Sequence, residues 1–227
     1  MRIAVLADIH GNLVALEAVL ADLEKQSPDQ IWCAGDLGWL GPRAAECISV
    51  VREAGWPTVK GNTDVWITGD PQTIEDEAER SRVVEIAEAH AISPDDARWL
   101  ISLPVGHPGP GSLLMVHGTP DTPFRAPLPG DPPASFAPYA GKAGLVVFGH
   151  VHVPFMRRLE EGTVVVNPGS VGLPLQGRLA QYMVIDQHGP QWTIQHRQVI
   201  FDVDSVVEQA NGLGGLAAER FLGYLLG

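Results

Sequence analysis

Short apolar runs alternate with helical patterns along the first third of the chain. Residues 3–7, 31–34 and 57–60 have the length and apolar character of buried strands. Between them, apolar side chains recur at helical spacing at Leu13, Leu16, Val19, Leu20 and Leu23 and again at Ala44, Cys47, Ile48 and Val51. Strands that alternate with helices in this way predict right-handed crossovers and a largely parallel sheet.

The middle of the chain predicts a helical insertion. Residues 74–90 are helical in pattern, and Ser93 followed by Pro94 predicts the start of a short helix that ends near Leu103. We therefore expect residues 65–103 to form an insertion that leans over the functional site. Residues 104–138 are rich in proline and predict a loop.

The second half predicts strands followed by two terminal helices. The predicted strands are residues 113–116, 145–148, 182–186 and 192–199, with a hairpin over residues 153–167 that turns near Glu161 and Gly162. Helices are predicted over residues 203–211 and 216–226, and the sequence leaves open whether the last one packs on the sheet or forms a homo-oligomer face. The expected fold is α/β, with two packed sheets and outer helices in a single domain over residues 1–227.

The composition indicates which classes of molecule are plausible binding partners. The 227 residues suit one α/β domain. The formal net charge of -12 is opposite to the basic footprint of most nucleic-acid-binding proteins, so a nucleic-acid partner is disfavoured. An acidic protein still attracts a phosphate ester when bound metal ions supply the local positive charge.

The sequence also predicts the cellular compartment. No run approaches the ~18 apolar residues of a membrane-spanning helix, so no membrane partner is expected. Asp8 and His10 interrupt the first apolar run too early for a signal peptide. With Cys33 and Cys47 as its only cysteines, the protein is expected to be cytoplasmic and reduced, without structural disulfides.

Side chains that can bind metal follow five of the predicted strands. They are Asp8, His10, Asp36, Asn62, His117, His150 and His152. Ligand sites in open α/β sheets form at the carboxyl ends of strands, and glycines beside several of these residues permit tight turns. If the strands are parallel in one sheet, all seven side chains meet at one edge.

Each of these residues has an ordinary explanation when taken alone. An Asp after a strand is usually a turn or helix-capping residue, and a single His is usually satisfied by a backbone carbonyl. Seven such residues at five strand ends favour a metal site instead. Oxygen and imidazole ligands without thiolate suit manganese, our first choice, and also iron, zinc, cobalt or nickel. Seven ligands divide well between two divalent metal ions about 3.5–4 Å apart that share a carboxylate.

Five short motifs occur in a recognisable order. They are Asp8-Ile9-His10, Gly35-Asp36, Gly61-Asn62-Thr63-Asp64, His117 after Val116, and Gly149-His150-Val151-His152. Together they resemble the calcineurin-like metallophosphoesterase superfamily over nearly the whole chain. The stretch GDLGWLGPRAAECI and the later Asn167-Pro168-Gly169-Ser170 resemble its small prokaryotic phosphodiesterase branch.

This resemblance implies a four-layer α/β/β/α sandwich with a dinuclear metal centre. It assigns Asp8, His10, Asp36 and His152 to one ion and Asp36, Asn62, His117 and His150 to the other. Asp36 would bridge the ions, and a water or hydroxide between them would be the nucleophile. Asp36, Asn62 and His117 are the residues that it places in catalysis. The implied substrate is a small phosphate ester, with nucleotides among the compatible candidates.

The sequence departs from the family pattern at Thr63. Many members have His there, which helps to protonate the leaving group or bind the phosphate, whereas a hydroxyl has no useful acidity near neutral pH. We expect slow reaction with poor leaving groups and a preference for diesters. Asp64, which would orient that His, is expected to lose its usual partner.

Several further residues receive weaker assignments. Asn12 and Arg43 are candidate phosphate contacts, although helix capping and solvent exposure explain them equally well. Asn167 and Ser170 are expected to support the metal ligands, and Asn167 is also a weak substrate-binding candidate. Trp39 is a candidate substrate wall. Surface or turn positions are expected for His90, His107, His188 and His196.

Two other functions compete with a phosphodiesterase. A binding scaffold would keep the fold and lose chemistry, but scaffolds usually lose ligands and all seven positions here can bind metal. The alternative of a phosphomonoesterase or protein phosphatase is disfavoured because Leu37-Gly38-Trp39-Leu40 follows Asp36, where protein phosphatases have Asp and Arg, and because Thr63 replaces His.

Overall fold

A computed structural model describes residues 1–71, 73–175, 178–189 and 191–227 as an α/β fold with two sheets. The helices are α1 (Leu13–Gln26), α2 (Ala44–Ala54), α3 (Asn62–Trp66), α4 (Glu77–His90), α5 (Pro94–Ser102), α6 (Val203–Leu213) and α7 (Gly215–Leu226). The strands are β1 (Arg2–Leu6), β2 (Gln30–Cys33), β3 (Gly106–Gly109), β4 (Leu113–Val116), β5 (Leu145–Phe148), β6 (Phe155–Arg158), β7 (Val164–Asn167), β8 (Leu179–His188) and β9 (Gln191–Ile200).

Both sheets are mixed. The first has the order β2-β1-β8-β9, with β1 and β2 parallel and the other neighbours antiparallel. The second has the order β3-β4-β5-β7-β6, with β4, β5 and β7 parallel. The expected α/β fold of two packed sheets with outer helices is confirmed. Of the three N-terminal strands expected to be parallel, only β1 and β2 form a parallel ladder. The third predicted strand, residues 57–60, contributes a single parallel bridge between Thr58 and Cys33.

Alternating side chains of β1 separate two layers of the core. Ile3 and Val5 face the second sheet and pack in a cluster with side chains of β4, β5 and β8. Ala4 and Leu6 face the opposite side, where the helices cover the first sheet. The outer face of the second sheet is covered by Phe136 and Tyr139. Because these two lie in a 3-10 helix, Pro133–Tyr139, the outermost layer of the α/β/β/α arrangement is thin.

The proline-rich segment contains structure that the sequence pattern did not reveal. Strand β3 lies inside the predicted loop and pairs antiparallel with β4. Pro108 is tolerated because β3 is an edge strand and need not donate to a second neighbour. Gly109 lies against the Trp32 ring, which leaves no room for a side chain. Neither feature produces the apolar alternation from which strands are predicted.

The sequence signals for the start of a helix were more reliable than those for strand β3. Helix α5 begins at Pro94, and the Ser93 hydroxyl accepts a hydrogen bond from the Asp96 backbone N–H at 3.1 Å, as the sequence predicts. The hairpin β6–β7 is also confirmed. Helix α3 begins at Asn62, just before the predicted insertion over residues 65–103.

Helix α7 packs on its own chain. Its inward side chains Phe221 and Leu225 are buried in the same core cluster as the other helices. Arg220 forms a bidentate ion pair with Glu79 of α4, at 2.7 and 3.0 Å. The apolar face of this helix is thus covered within one molecule. Among the helices described, none is long and apolar enough to span a membrane.

The Glu79–Arg220 pair predicts an acid-sensitive contribution to stability. The hydrogen bond from Arg220 lowers the pKa of Glu79 from 4.5 to about 2, so the contribution is complete above pH 4.5 and is lost as the pH falls toward 2. Both side chains are about one-third exposed, so solvent screening limits the pair to about 1 kcal/mol or less. In urea unfolding, Glu79→Gln should be less stable than the wild type at pH 7, and the difference should shrink below pH 4.5.

The matched control is Glu85→Gln, at an exposed position of the same helix. It should unfold like the wild type at each pH. If the difference in stability between Glu79→Gln and the wild type stays constant down to pH 3, the ion pair is not the cause of that difference.

Candidate metal centre

The seven predicted ligands converge where the two sheets meet. Asp8 and His10 follow β1, and Asp36 follows β2, all in the first sheet. His117, His150 and His152 follow β4 and β5 in the second sheet, and Asn62 begins α3. The site therefore lies across the carboxyl ends of two facing sheets, and the expectation of a single sheet edge was wrong. A backbone hydrogen bond from Asp8 to Gly35, at 3.0 Å, links the two loops of the first sheet.

Backbone conformation is unusual at most of the predicted ligands. Asp8, His10, Asp36, His150 and His152 all have positive φ angles, between 48° and 69°. L-residues with side chains adopt this region at a cost of about 1 kcal/mol each, and such residues cluster at functional sites. The fold therefore stores strain at five of the seven predicted ligand positions.

One group of ligands surrounds His10. Its Nε2 lies 3.0 Å from Nε2 of His152, which in turn lies 3.5 Å from Asp8 Oδ1. The Nδ1 atom of His10 donates to the Trp39 carbonyl at 3.1 Å, and that of His152 donates to the Leu173 carbonyl at 2.8 Å. Because a carbonyl oxygen only accepts, these contacts put the ring protons on Nδ1 and leave two Nε2 lone pairs facing each other.

A second group surrounds Asn62. Its Oδ1 lies 3.0 Å from His117 Nε2 and 2.8 Å from His150 Nδ1. His117 Nε2 is also 3.4 Å from Asp36 Oδ2, while its Nδ1 donates to the Ala34 carbonyl at 2.7 Å. Asp36 Oδ2 is 3.7 Å from His10 Nε2, so this carboxylate reaches both groups.

These donor atoms fit divalent cations. Opposed lone pairs at about 3 Å repel unless a positive charge lies between them. In addition, Asp8 Oδ2 is buried and has no hydrogen-bond partner among the described residues, which is costly for a carboxylate. Carboxylate, carboxamide and imidazole ligands are those that manganese, iron and zinc accept. Two triads, Asp8–His10–His152 and Asp8–Asp36–His117, have ligand atoms that all lie within 4.8 Å of one another.

The ionisation of the site follows from its burial and from paired charges. Burial alone would lower the pKa of His117, but the neighbouring Asp36 carboxylate outweighs it and raises the pKa to about 9. Burial opposes ionisation of Asp36, yet His117 and then His10 hold its pKa well below the usual range. Burial and the adjacent His152 lower the pKa of His10 to about 4. Metal that binds to His117 must therefore displace a proton.

Asp64 has a role that the sequence prediction missed. We expected this carboxylate to lack a partner, but it is fully buried and accepts backbone N–H groups of Asp36, Leu37 and Gly61 at 3.0, 2.8 and 2.8 Å. It thereby fixes the Asp36 loop against the start of α3. Burial and the nearby charge of Asp36 raise the pKa of Asp64 to about 6. The sequence signal that could have indicated this role is the position of Asp64 in the Gly-Asn-Thr-Asp motif.

The segment after β7 supports the ligand loops of both sheets. Ser170 Oγ donates to the Asp8 carbonyl at 2.7 Å, and Asn167 Nδ2 donates to the Gly149 carbonyl at 2.6 Å. Both side chains are fully buried. The same segment supplies the Leu173 carbonyl that orients His152. Backbone carbonyls of Trp39 and Leu173 carry no signal in the sequence, so their roles were missed.

Two of the weaker candidates lie in structural contacts. Asn12 Oδ1 accepts from the Ala15 N–H at 3.0 Å, and its Nδ2 donates to the Gly172 carbonyl at 2.9 Å, so its amide caps α1 and ties down a loop. Arg43 donates to Glu46 at 2.6 Å on a half-exposed surface and does not line the cavity described below.

The expectation for the remaining histidines needs correction. His90 is half-buried, and its Nε2 accepts the Leu40 backbone N–H at 3.1 Å. Burial lowers its pKa to about 4, so it stays neutral and keeps this bond near neutral pH. His107 is half-buried within β3, whereas His188 and His196 are exposed, as expected. Cys33 and Cys47 are buried free cysteines.

A cavity of about 250 Å³ opens above the ligands. His10, Asp36, Asn62, His150 and His152 line its floor. Its walls are formed by Thr63, Val151 and six larger apolar or aromatic residues, Trp39, Leu40, Trp66, Leu173, Leu175 and Tyr224. Of the predicted insertion, Trp66 lines the cavity, whereas α4 and α5 pack against other helices.

The model of the calcineurin-like phosphoesterase superfamily domain matches residues 1–189 of this chain. The chain therefore belongs to the calcineurin-like phosphoesterase superfamily. Membership supports the class of phosphoric ester hydrolases and divalent metal binding, in agreement with the ligand groups described above.

Similar proteins come from bacteria and archaea. An uncharacterised protein of Methanocaldococcus jannaschii is 28 % identical over 97 % of this chain and 98 % of its own length. A metallophosphoesterase of Sphaerobacter thermophilus is similar in structure, with a TM-score of 0.79 and 28 % identity over 97 % of this chain and 98 % of that one. A hypothetical protein of Pyrococcus horikoshii shares the fold, with a TM-score of 0.79, 20 % identity and 97 % coverage of both chains.

The packing of Gly61 against Asp36 predicts a steric test of the centre. A Cβ at position 61 would overlap Asp36 Oδ1 and lie 2.8 Å from its Cγ. Gly61→Ala should therefore displace this carboxylate and weaken Mn²⁺ binding by at least about tenfold in isothermal titration calorimetry.

Gly130→Ala is the matched control, because a Cβ there meets no atom within 4 Å. It should bind Mn²⁺ like the wild type. Equal affinities for the two variants would mean that the position of Asp36 does not determine metal binding.

Proposed function

We propose that this protein is a metal-dependent phosphodiesterase with a dinuclear centre, in which manganese is the first candidate metal. The observation that carries the proposal is the convergence of ring nitrogens of His10, His152 and His117 and of the Asn62 carboxamide oxygen around two buried carboxylates. The first ion would be held by Asp8, His10, Asp36 and His152. The second would be held by Asp36, Asn62, His117 and His150.

When bound, two divalent ions supply a water of lowered pKa as nucleophile and positive charge against the phosphoryl oxygens. The protein's own contribution is to fix the ligands. Carbonyls of Trp39, Leu173 and Ala34 set the orientation of three imidazole rings. Asp36 reaches both groups and is held by the Thr63 backbone N–H at 2.9 Å. Little movement of the ligands is then required during reaction.

Thr63 is our candidate for a side-chain contact with the substrate. Thr63 lines the cavity, and its buried side-chain oxygen has no hydrogen-bond partner among the described residues. We assign it as a donor to a phosphoryl oxygen of the bound ester. It cannot protonate an alkoxide leaving group near neutral pH, so the reaction depends on a leaving group that departs without an acid.

The first experiment measures hydrolysis of bis-(p-nitrophenyl) phosphate and p-nitrophenyl phosphate by protein stripped of metal and then supplied with Mn²⁺. The diester should be the better substrate, and activity should require the metal. Asp36→Ala and Asn62→Ala should each lower kcat/KM by at least about 100-fold.

The control is His188→Ala, an exposed histidine at the end of β8, which should keep full activity. A better rate with the monoester would overturn the diester assignment and leave the metal mechanism intact. Metal binding without turnover of either ester would instead indicate a scaffold.

Thr63 predicts a steep dependence of rate on the leaving group. Across a series of methyl aryl phosphates, kcat/KM should fall strongly as the pKa of the phenol rises. Thr63→His should flatten this dependence and should raise the rate for the poorest leaving group, since general acid catalysis typically contributes about 100-fold or more.

Thr193→His, at an exposed position of β9, serves as the control and should keep the steep slope. A flat dependence in the wild type would show that an acid other than residue 63 protonates the leaving group.

A further inference from the structure

The cavity above the metal ligands has two chemically different halves. Its floor consists of polar metal-competent side chains, while its wall is apolar and aromatic. Trp39 and Trp66 contact each other edge to face, with ring centroids 6.0 Å apart. Trp39 is almost fully buried, at 5 % exposure, so its ring is held in place. The polar floor suits a phosphate group, and the apolar wall suits a second, non-polar part of the ligand.

The rim of this wall exposes large apolar side chains to solvent. Tyr224 is 57 % exposed and Leu175 is 54 % exposed, although both border the cavity. Exposed apolar surface that is contiguous with a pocket is typical of ligand-binding sites. A ligand bound below would cover these two side chains.

Tyr224 is held in position by the packing of α7. Phe221 and Leu225 of this helix are buried, which leaves Tyr224 at the edge of the buried face. The bidentate pair between Arg220 and Glu79 fixes the same turn to α4. Tyr224 and α7 lie beyond residues 1–189, which the family model matches, whereas Trp39 and Trp66 lie within them.

Charge restricts what can occupy the cavity. Among the described residues that line it, none is Lys or Arg. A single phosphate would be balanced by the metal ions, but further phosphates in a chain would face apolar side chains in a protein of net charge -12. The cavity of about 250 Å³ is also small for a long polyphosphate ligand.

We propose that the aromatic wall formed by Trp39, Trp66 and Tyr224 binds a planar aromatic group on the non-leaving side of the phosphodiester, and that the substrate carries a single phosphate. This inference rests on the proposed phosphodiesterase function. An aryl group and a nucleobase share the required chemistry, because both present a flat π surface to aromatic side chains. Tyr224 is then a specificity residue that touches the substrate away from the reacting phosphorus.

The test compares three diesters that share the p-nitrophenolate leaving group: methyl p-nitrophenyl phosphate, phenyl p-nitrophenyl phosphate and the p-nitrophenyl ester of thymidine monophosphate. With Mn²⁺-loaded wild type, both aromatic esters should have higher kcat/KM than the methyl ester. Tyr224→Ala should lower kcat/KM about 5- to 150-fold for the aromatic esters and leave the methyl ester unchanged. Tyr224→Phe keeps the ring and should retain the preference.

Leu226→Ala is the matched control, since it truncates another exposed side chain of α7 that does not line the cavity. It should behave like the wild type. Equal loss for all three esters in Tyr224→Ala, or no aromatic preference in the wild type, would overturn the inference. A higher kcat/KM for thymidine triphosphate than for the thymidine diester would also overturn the inference. The ratio of phenyl to thymidine ester separates an aryl site from a nucleoside site.

A binding measurement distinguishes this inference from the proposed function. Quenching of tryptophan fluorescence is titrated with phenylphosphonate and with methylphosphonate in Mn²⁺-loaded protein. If none of the three diesters is hydrolysed, the proposed function fails, but tighter binding of phenylphosphonate that is lost in Tyr224→Ala still supports the aromatic wall. If the methyl ester is hydrolysed and the two phosphonates bind equally, the wall fails alone.

Discussion

The structure of this site depends on one electrostatic constraint, the burial of two carboxylates and four imidazoles with their ligand atoms directed at one another. His10 and His152 approach to 3.0 Å through Nε2 atoms that carry no proton in the neutral rings. Without a cation, such an arrangement loses solvation and gains repulsion. The surrounding fold holds the residues in this arrangement through backbone carbonyls, buried hydrogen bonds and five strained φ angles.

Each layer of the fold contributes to this arrangement. The packing between the sheets brings the loops after β1 and β2 against those after β4 and β5. Asp8 Oδ1 accepts the His150 backbone N–H at 3.1 Å, which joins a ligand of one sheet to the backbone of the other. Ser170 and Asn167 then support the two loops from the segment after β7. Asp64 does the same for the Asp36 loop. The precision of the site comes from these supporting contacts.

The identity of the candidate ligands could be predicted from sequence because their residue types stand out at strand ends, where structural roles for seven such residues are improbable together. The partner carbonyls of Trp39 and Leu173 could not, since every residue has a carbonyl and only its direction matters. Two sheets were expected, but the assignment of particular strands to each sheet could not be predicted, because a strand's sequence does not identify its neighbours. Strand β3 lacked any apolar alternation, and Tyr224 is distant in sequence from every site residue near which it lies. Long-range packing decides all of these features.

The central claim is that the two groups of ligands form a centre for two cations bridged by Asp36. Anomalous X-ray diffraction from crystals grown with Mn²⁺ tests it most directly. The account predicts two anomalous peaks about 3.5–4 Å apart, one among Asp8, His10 and His152, the other among Asn62, His117 and His150, with Asp36 in contact with both. A single peak, or manganese located away from these side chains, would contradict it.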